Sequence, residues 1–231
     1  MTDNVNTLDQ GIGYGISAQE RNKVLRNTYL LLALTMVPTV LGAWMGVATG
    51  LGQIFSGGLG IVLFLAIAVG FIYAIQKTKN SAAGVPVLLG FTFFMGLMLS
   101  RMIGAILGFK NGPDLIMTAF AGTAGVFFVM ASLATVIKRD LSGMGKWLFV
   151  GAVVLMVGGI INVFVGSSAG MMALSMAAIG IFSAYMLYDI KQILDGGETN
   201  YISATLALYL DIINVFQSLL ALLGIFGGEK D

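Results

Sequence analysis

Two carboxylates stand where carboxylates are expensive. Asp189 and Asp211 each lie inside an apolar run long enough to cross a bilayer, and the two runs are joined by the short polar turn Asp195-Gly196-Gly197-Glu198-Thr199-Asn200. An acid within such a span marks an ion or proton pathway by default. Helix geometry places the two. If the first helix ends near Leu194, Asp189 lies about 8 Å from the turn; if the second starts near Tyr201, Asp211 lies about 15 Å beyond it. The acids can therefore sit at similar depth on neighbouring antiparallel helices. Two such groups cannot both ionise cheaply, and the pair tends to share one proton. Losing that proton would add charge and push the acids apart.

Other polar groups fall near this pair. Asp211, Asn214 and Ser218 follow i, i+3, i+7 spacing and share one helix face. That face should turn to the bundle interior, because lipid cannot satisfy it. Tyr185 precedes Asp189 by one turn on the same face, and Tyr188 and Tyr209 add hydroxyls near the same depth. A blander reading is a hydrogen-bonded pair that only holds helices together. Such contacts average ~0.6 kcal/mol in membranes, a small return for two carboxylates. Asp195 and Glu198 belong to the turn and read as solvated, with Gly196-Gly197 breaking the helix. Arg101 lies within an earlier span. It either snorkels to the nearer interface or faces the bundle and pairs with an acid or with carbonyls. Its depth is nearer the outer surface than that of Asp189, which argues against a direct pair.

The elements that position these groups follow from composition. The chain has 231 residues, 58% hydrophobic and 10% charged, with a mean hydropathy of +0.94. A soluble domain holds about 45–50% apolar and about 25% charged residues. This is an integral membrane protein whose partner is the lipid bilayer. It has neither Cys nor His, which excludes disulfides, thiol chemistry, imidazole bases and the usual zinc sites. Any ion site is built from oxygen and suits protons, sodium or calcium. Any pH sensing falls to carboxylates. No bound cofactor is implied, calcium entering only as a permeant or weakly held ion. The net charge of +1 and the lack of a basic run give no sign of nucleic acid. No serine–lysine or HExxH motif is present. The residues around the acids, LYDIK and YLDII, lack the glycine-flanked second motif of aspartyl membrane proteases. An enzyme is not expected.

Seven spans can be read, at roughly 25–47, 54–75, 84–107, 115–137, 147–165, 171–193 and 201–226. This predicts an all-α membrane domain over residues 24–227, between an N-terminal tail, 1–23, and a short C-terminal tail, 228–231. The first 20 residues are polar and glycine-rich, with no apolar segment of a cleavable signal peptide. Pro38 should kink the first span. Gly42, Gly46 and Gly50 in that span form a small-xxx-small pattern suited to close helix packing, within the monomer rather than in a dimer. Asp114 is placed to cap the fourth helix, and Trp147 opens the fifth at interfacial depth. One side of the membrane would hold Arg21, Lys23, Arg26, Lys77, Lys79, Lys138, Arg139, Lys146 and Lys191, the other only Lys110 and Lys230. This puts the N-terminus in the cytoplasm and the C-terminus outside.

The stretch LYDIKQILDGGETNYISATLALYLDIINVFQSLLALLG resembles the C-terminal signature of the Bax inhibitor-1 (TMBIM) family, in particular its bacterial branch. KRDLSGMGKWL and the later Asn162-Val-Phe164 resemble it too, and the likeness runs over roughly residues 24 to 226. The resemblance implies six helices around a central C-terminal helix, and a pH-sensitive calcium leak of the inner membrane. Its proton and calcium sensor is an aspartate pair on the sixth and seventh helices, by motif Asp189 and Asp211. Some bacterial relatives carry an acid within the second helix and an arginine cluster at its end. Here the second span has no acid and ends Gln76-Lys77-Thr78-Lys79. Other bacterial relatives regulate a membrane-bound ATP-dependent protease, which makes a non-conducting regulator the alternative function.

Overall fold

The computed structural model describes residues 17–229, and within these it is all helical. Seven long helices are present: α1 (Ala18–Thr49), α2 (Gly57–Thr78), α3 (Gly84–Leu107), α4 (Gly112–Val136), α5 (Met144–Val165), α6 (Ser168–Asp195) and α7 (Tyr201–Gly227). Each is long and apolar enough to cross a membrane. A 3-10 turn, Leu51–Phe55, joins α1 to α2.

The helix ends differ from the sequence expectation where capping decides them. α1 starts at Ala18, well before the apolar run, because Ser17 and Glu20 form a reciprocal capping box. α6 starts at Ser168, with the Ser167 hydroxyl accepting from the Gly170 N–H. Asp114 does not cap α4. Asn111 holds the N-cap position, and its side chain instead ties the start of α4 to the end of α7: Nδ2 donates to the Gly227 carbonyl at 2.6 Å and Oδ1 accepts from the Glu229 N–H at 3.1 Å. Asp114 sits inside the first turn, where a negative charge still suits the helix dipole. α1 stays helical through Pro38.

Two seams organise the bundle. Lipid gives helices no hydrophobic reason to associate, so small residues that let backbones approach do much of the work. Gly42 of α1 lies against the Phe93 carbonyl of α3, and Gly96 of α3 against the Thr39 carbonyl of α1, so neither has room for a Cβ. Of the three glycines of the first span, Gly42 and Gly46 are thus used inside the monomer, Gly46 against Ser100 of α3, whereas Gly50 meets no neighbour and ends α1 at φ 71°. The second seam is α7 itself. It packs against α1, α2, α3, α4 and α6 and is the most buried of the spans. Tyr209, fully buried, anchors it: the hydroxyl lies 2.9 Å from Thr39 Oγ1 and 3.3 Å from the Thr92 carbonyl. Phe91 packs edge-on against the Tyr209 ring. The expectation of a central C-terminal helix holds, except that α5 packs on α6 alone and does not reach α7.

Candidate functional site

The α6–α7 hairpin that carries the acids is closed by hydrogen bonds from both sides of its turn. α6 ends on Gly196, in the left-handed region at φ 82°, which no Cβ-bearing residue adopts comfortably. Glu198 Oε1 then accepts the N–H groups of Thr199 and Asn200 at 2.8 and 2.7 Å. Asn200 caps α7, its Oδ1 accepting from Ile202 and Ser203, both at 3.0 Å. Asn200 Nδ2 donates to the Lys79 carbonyl and to Asn80 Oδ1, which binds the turn to the α2–α3 connection. Arg21 at the start of α1 donates to the Leu194 carbonyl at 2.9 Å. This end of the bundle is fixed by backbone and side chain together, so the depth of both acids is set.

Within that frame the Asp189 and Asp211 carboxyls are in hydrogen-bonding contact with each other. Asp211 is 4% exposed, and its Oδ2 meets no donor. Neither acid has a salt-bridge partner among the described residues. A buried acceptor facing another carboxyl is satisfied only when one of the two holds a proton. The geometry therefore suits a pair bridged by one proton across α6 and α7. Tyr185 lies within electrostatic reach of both acids, and Glu198 within reach of Asp189. No cluster of three or more Asp or Glu occurs among the described residues. Two carboxylates match a weak, transient cation contact better than a dedicated calcium cage.

The other polar residues read from the sequence do not converge on this pair. Asn214 and Ser218 lie on the same side of α7 as Asp211, but both bond to their own helix: Asn214 Nδ2 to the Leu210 carbonyl and Ser218 Oγ to the Asn214 carbonyl, each at 2.7 Å. Tyr188 accepts from Gln192 Nε2 and lies against Gly145 of α5. Tyr209 points into the α1–α3 seam instead. Asp195 pairs with Lys191 at 2.7 Å on the surface. Arg101 is exposed and donates to the Phe55 carbonyl at 3.2 Å, pinning the 3-10 turn at the opposite end of the bundle. Its exposure at the end of the bundle is that of the first reading, while the carbonyl partner is that of the second. Near the hairpin, Asp140 accepts from the Ser142 N–H at 2.8 Å and from its hydroxyl at 2.9 Å. The backbone donor first, and then the hydroxyl, hold its carboxyl below the usual carboxylate range.

One feature escaped the sequence reading. A cleft of about 830 Å³ opens between α2 on one side and α5 and α6 on the other, with Gln217 of α7 at its back. The signs in the sequence are two amides inside apolar spans, Asn162 in the fifth and Gln217 in the seventh.

Seven long apolar helices define a polytopic membrane protein. The chain belongs to the Bax inhibitor-1 family: it matches the family described as "Inhibitor of apoptosis-promoting Bax1" over residues 21–228. It is 39% identical to an uncharacterized membrane protein of Vibrio cholerae, covering 91% of this chain and 92% of that one. It is 36% identical to the modulator of FtsH protease YccA of Escherichia coli K12, over 88% of this chain and 90% of the relative. The relative of Escherichia coli O6:H1, described as inner membrane protein YccA, matches to the same extent.

Proposed function

We propose that this chain is a non-conducting inner-membrane modulator of an FtsH-type, membrane-bound ATP-dependent protease, with its N-terminus in the cytoplasm. The observation that carries this reading is the likeness to the modulator of FtsH protease over nearly the whole length of both chains. The fold agrees with such a role. The connections between helices are short, so contact with a partner falls to the membrane-embedded surface and the N-terminal tail, of which residues 1–16 lie outside the described part. The test is co-reconstitution of the full chain with the protease in liposomes and measurement of its turnover of a membrane substrate. The expected result is a saturable change in turnover that weakens when residues 1–20 are deleted. Turnover indifferent to excess chain would sink the reading.

The buried acid pair favours a second reading, a pH-sensitive calcium leak. A proton shared by Asp189 and Asp211 bridges α6 and α7 and closes the path between them. Its loss leaves two charges in contact, drives the helices apart and exposes carboxylate ligands. On this reading calcium flux into proteoliposomes rises with pH, and Asp189→Asn and Asp211→Asn each abolish the pH response. A pH response unchanged in both variants removes the pair from any gate.

A further inference from the structure

We infer that the cleft between α2 and α5 is a docking site for a single transmembrane helix of the partner protein, recognised through a polar side chain that pairs with Gln217. The cleft exists because α2 and α5 do not pack on each other. Its floor is α6 and α7. Two amides face it, Gln217 from α7 and Asn162 from α5, and neither side chain has a hydrogen-bond partner among the described residues. Gln217 is ten residues from the end of α7 at Gly227, or ~15 Å along the helix. That is close to the middle of a hydrocarbon layer ~30 Å thick.

This depth selects the occupant. Water is absent there, and lipid ester groups lie at the interface, so a lipid tail leaves the Gln217 amide unsatisfied. A polar side chain on an inserted helix satisfies it. Asn162 is three residues from the end of α5 at Val165, so the two amides differ in depth by ~10 Å, about two helical turns. A helix about 10 Å across fills roughly 420 Å³ per turn. A cleft of about 830 Å³ therefore takes about two turns of helix, the same span that separates the amides. Gly159 on the α5 wall supplies the third observation. A Cβ there would meet nothing within 4 Å, so packing inside the chain does not account for the glycine. A small residue facing an open groove is what close approach of another helix uses.

The inference rests on the protease reading, because it takes the partner to be that membrane-bound protease. The test uses the full chain co-reconstituted with the protease in liposomes. The chain has no cysteine, but the photoreactive residue p-benzoylphenylalanine is the better probe, installed in place of Met156, which lines the cleft and is already large, so that Gly159 stays small. As a control it is installed in place of Ile161, which is 56% exposed and does not line the cleft. The expected result is a crosslink from position 156, and not from 161, into a transmembrane segment of the protease. Gln217→Leu should lower its yield about threefold, the worth of one membrane-buried hydrogen bond. Protease bound and modulated without a crosslink from 156 overturns the docking site and leaves the protease reading standing. A phospholipid adduct at 156 as the sole product also overturns it, making the cleft a lipid site. Failure of the parent chain to bind the protease removes both.

Discussion

Replacing Gly96 by alanine should damage this protein more than any surface change of the same size. Gly96 of α3 lies against the Thr39 carbonyl of α1, and a methyl placed on it would fall well inside van der Waals contact. The obstacle is backbone on both sides, so no side chain can swing away. α1 and α3 must separate by on the order of 1 Å to restore normal carbon–oxygen contact. Forcing extra volume into a packed seam costs about 1–3 kcal/mol. Thr39 also carries the hydrogen bond to Tyr209, the buried anchor of α7, and losing it adds ~0.6 kcal/mol. Against this, alanine is a better helix former than glycine by up to ~1 kcal/mol. The balance is a loss of ~2 kcal/mol, about thirtyfold in the unfolding equilibrium. Reversible unfolding in mixed micelles, followed by helix signal and by steric trapping, measures it. Gly104→Ala on the same helix is the control, since a Cβ there meets nothing within 4 Å. It should be neutral or stabilising. A Gly96→Ala protein within ~0.5 kcal/mol of its parent would refute the close seam.

Three further outcomes follow from the geometry. Asp211→Asn places an amide donor opposite Asp189 and should leave the unfolding midpoint at neutral pH unchanged or higher, whereas Asp211→Leu strands Asp189 and should lower it; a reversed order would argue that the two carboxyls do not meet. Asn200→Ala removes two capping bonds to α7 and two bonds to the α2–α3 connection, and should cost about 1–2 kcal/mol by the same unfolding assay; a loss near zero would show that the turn is held elsewhere. Carboxyl NMR should find Asp140 titrating below the ordinary range, because the Ser142 N–H and hydroxyl bond its charged form. The sign follows: its contribution is present above the unfolded value and is lost as pH falls through the lower folded one. Ser142→Ala should raise the value only part of the way, since the backbone donor remains.

The sequence alone determined the class, the number of spans and the hairpin that carries the acids. Runs of apolar residues must satisfy their backbone internally in lipid, so seven runs of that length leave little choice but seven helices. Asp189 and Asp211 were legible for the same reason, as acids well inside apolar spans whose one other charge, Lys191, lies at the end of the sixth, with a turn between them that fixes antiparallel register. Spacing along one helix could not say which neighbours a side chain meets. It placed Tyr188, Tyr209, Asn214 and Ser218 beside the acids by depth. In the fold Tyr209 rotates into the α1–α3 seam, and Asn214 and Ser218 turn to their own backbone. Arg101 had two readings until the 3-10 turn brought the Phe55 carbonyl to it. The N-cap position of α4 went to Asn111 rather than Asp114, and the Asn111 side chain, instead of capping, reaches the end of α7. The cleft was the least visible of all. It arises where α2 and α5 fail to touch, and a gap between two helices far apart in the chain leaves no periodicity in either. Helix formation in a membrane is a local consequence of composition, while the rotation of each helix about its axis, and so the partner of each polar group, is decided by packing between helices.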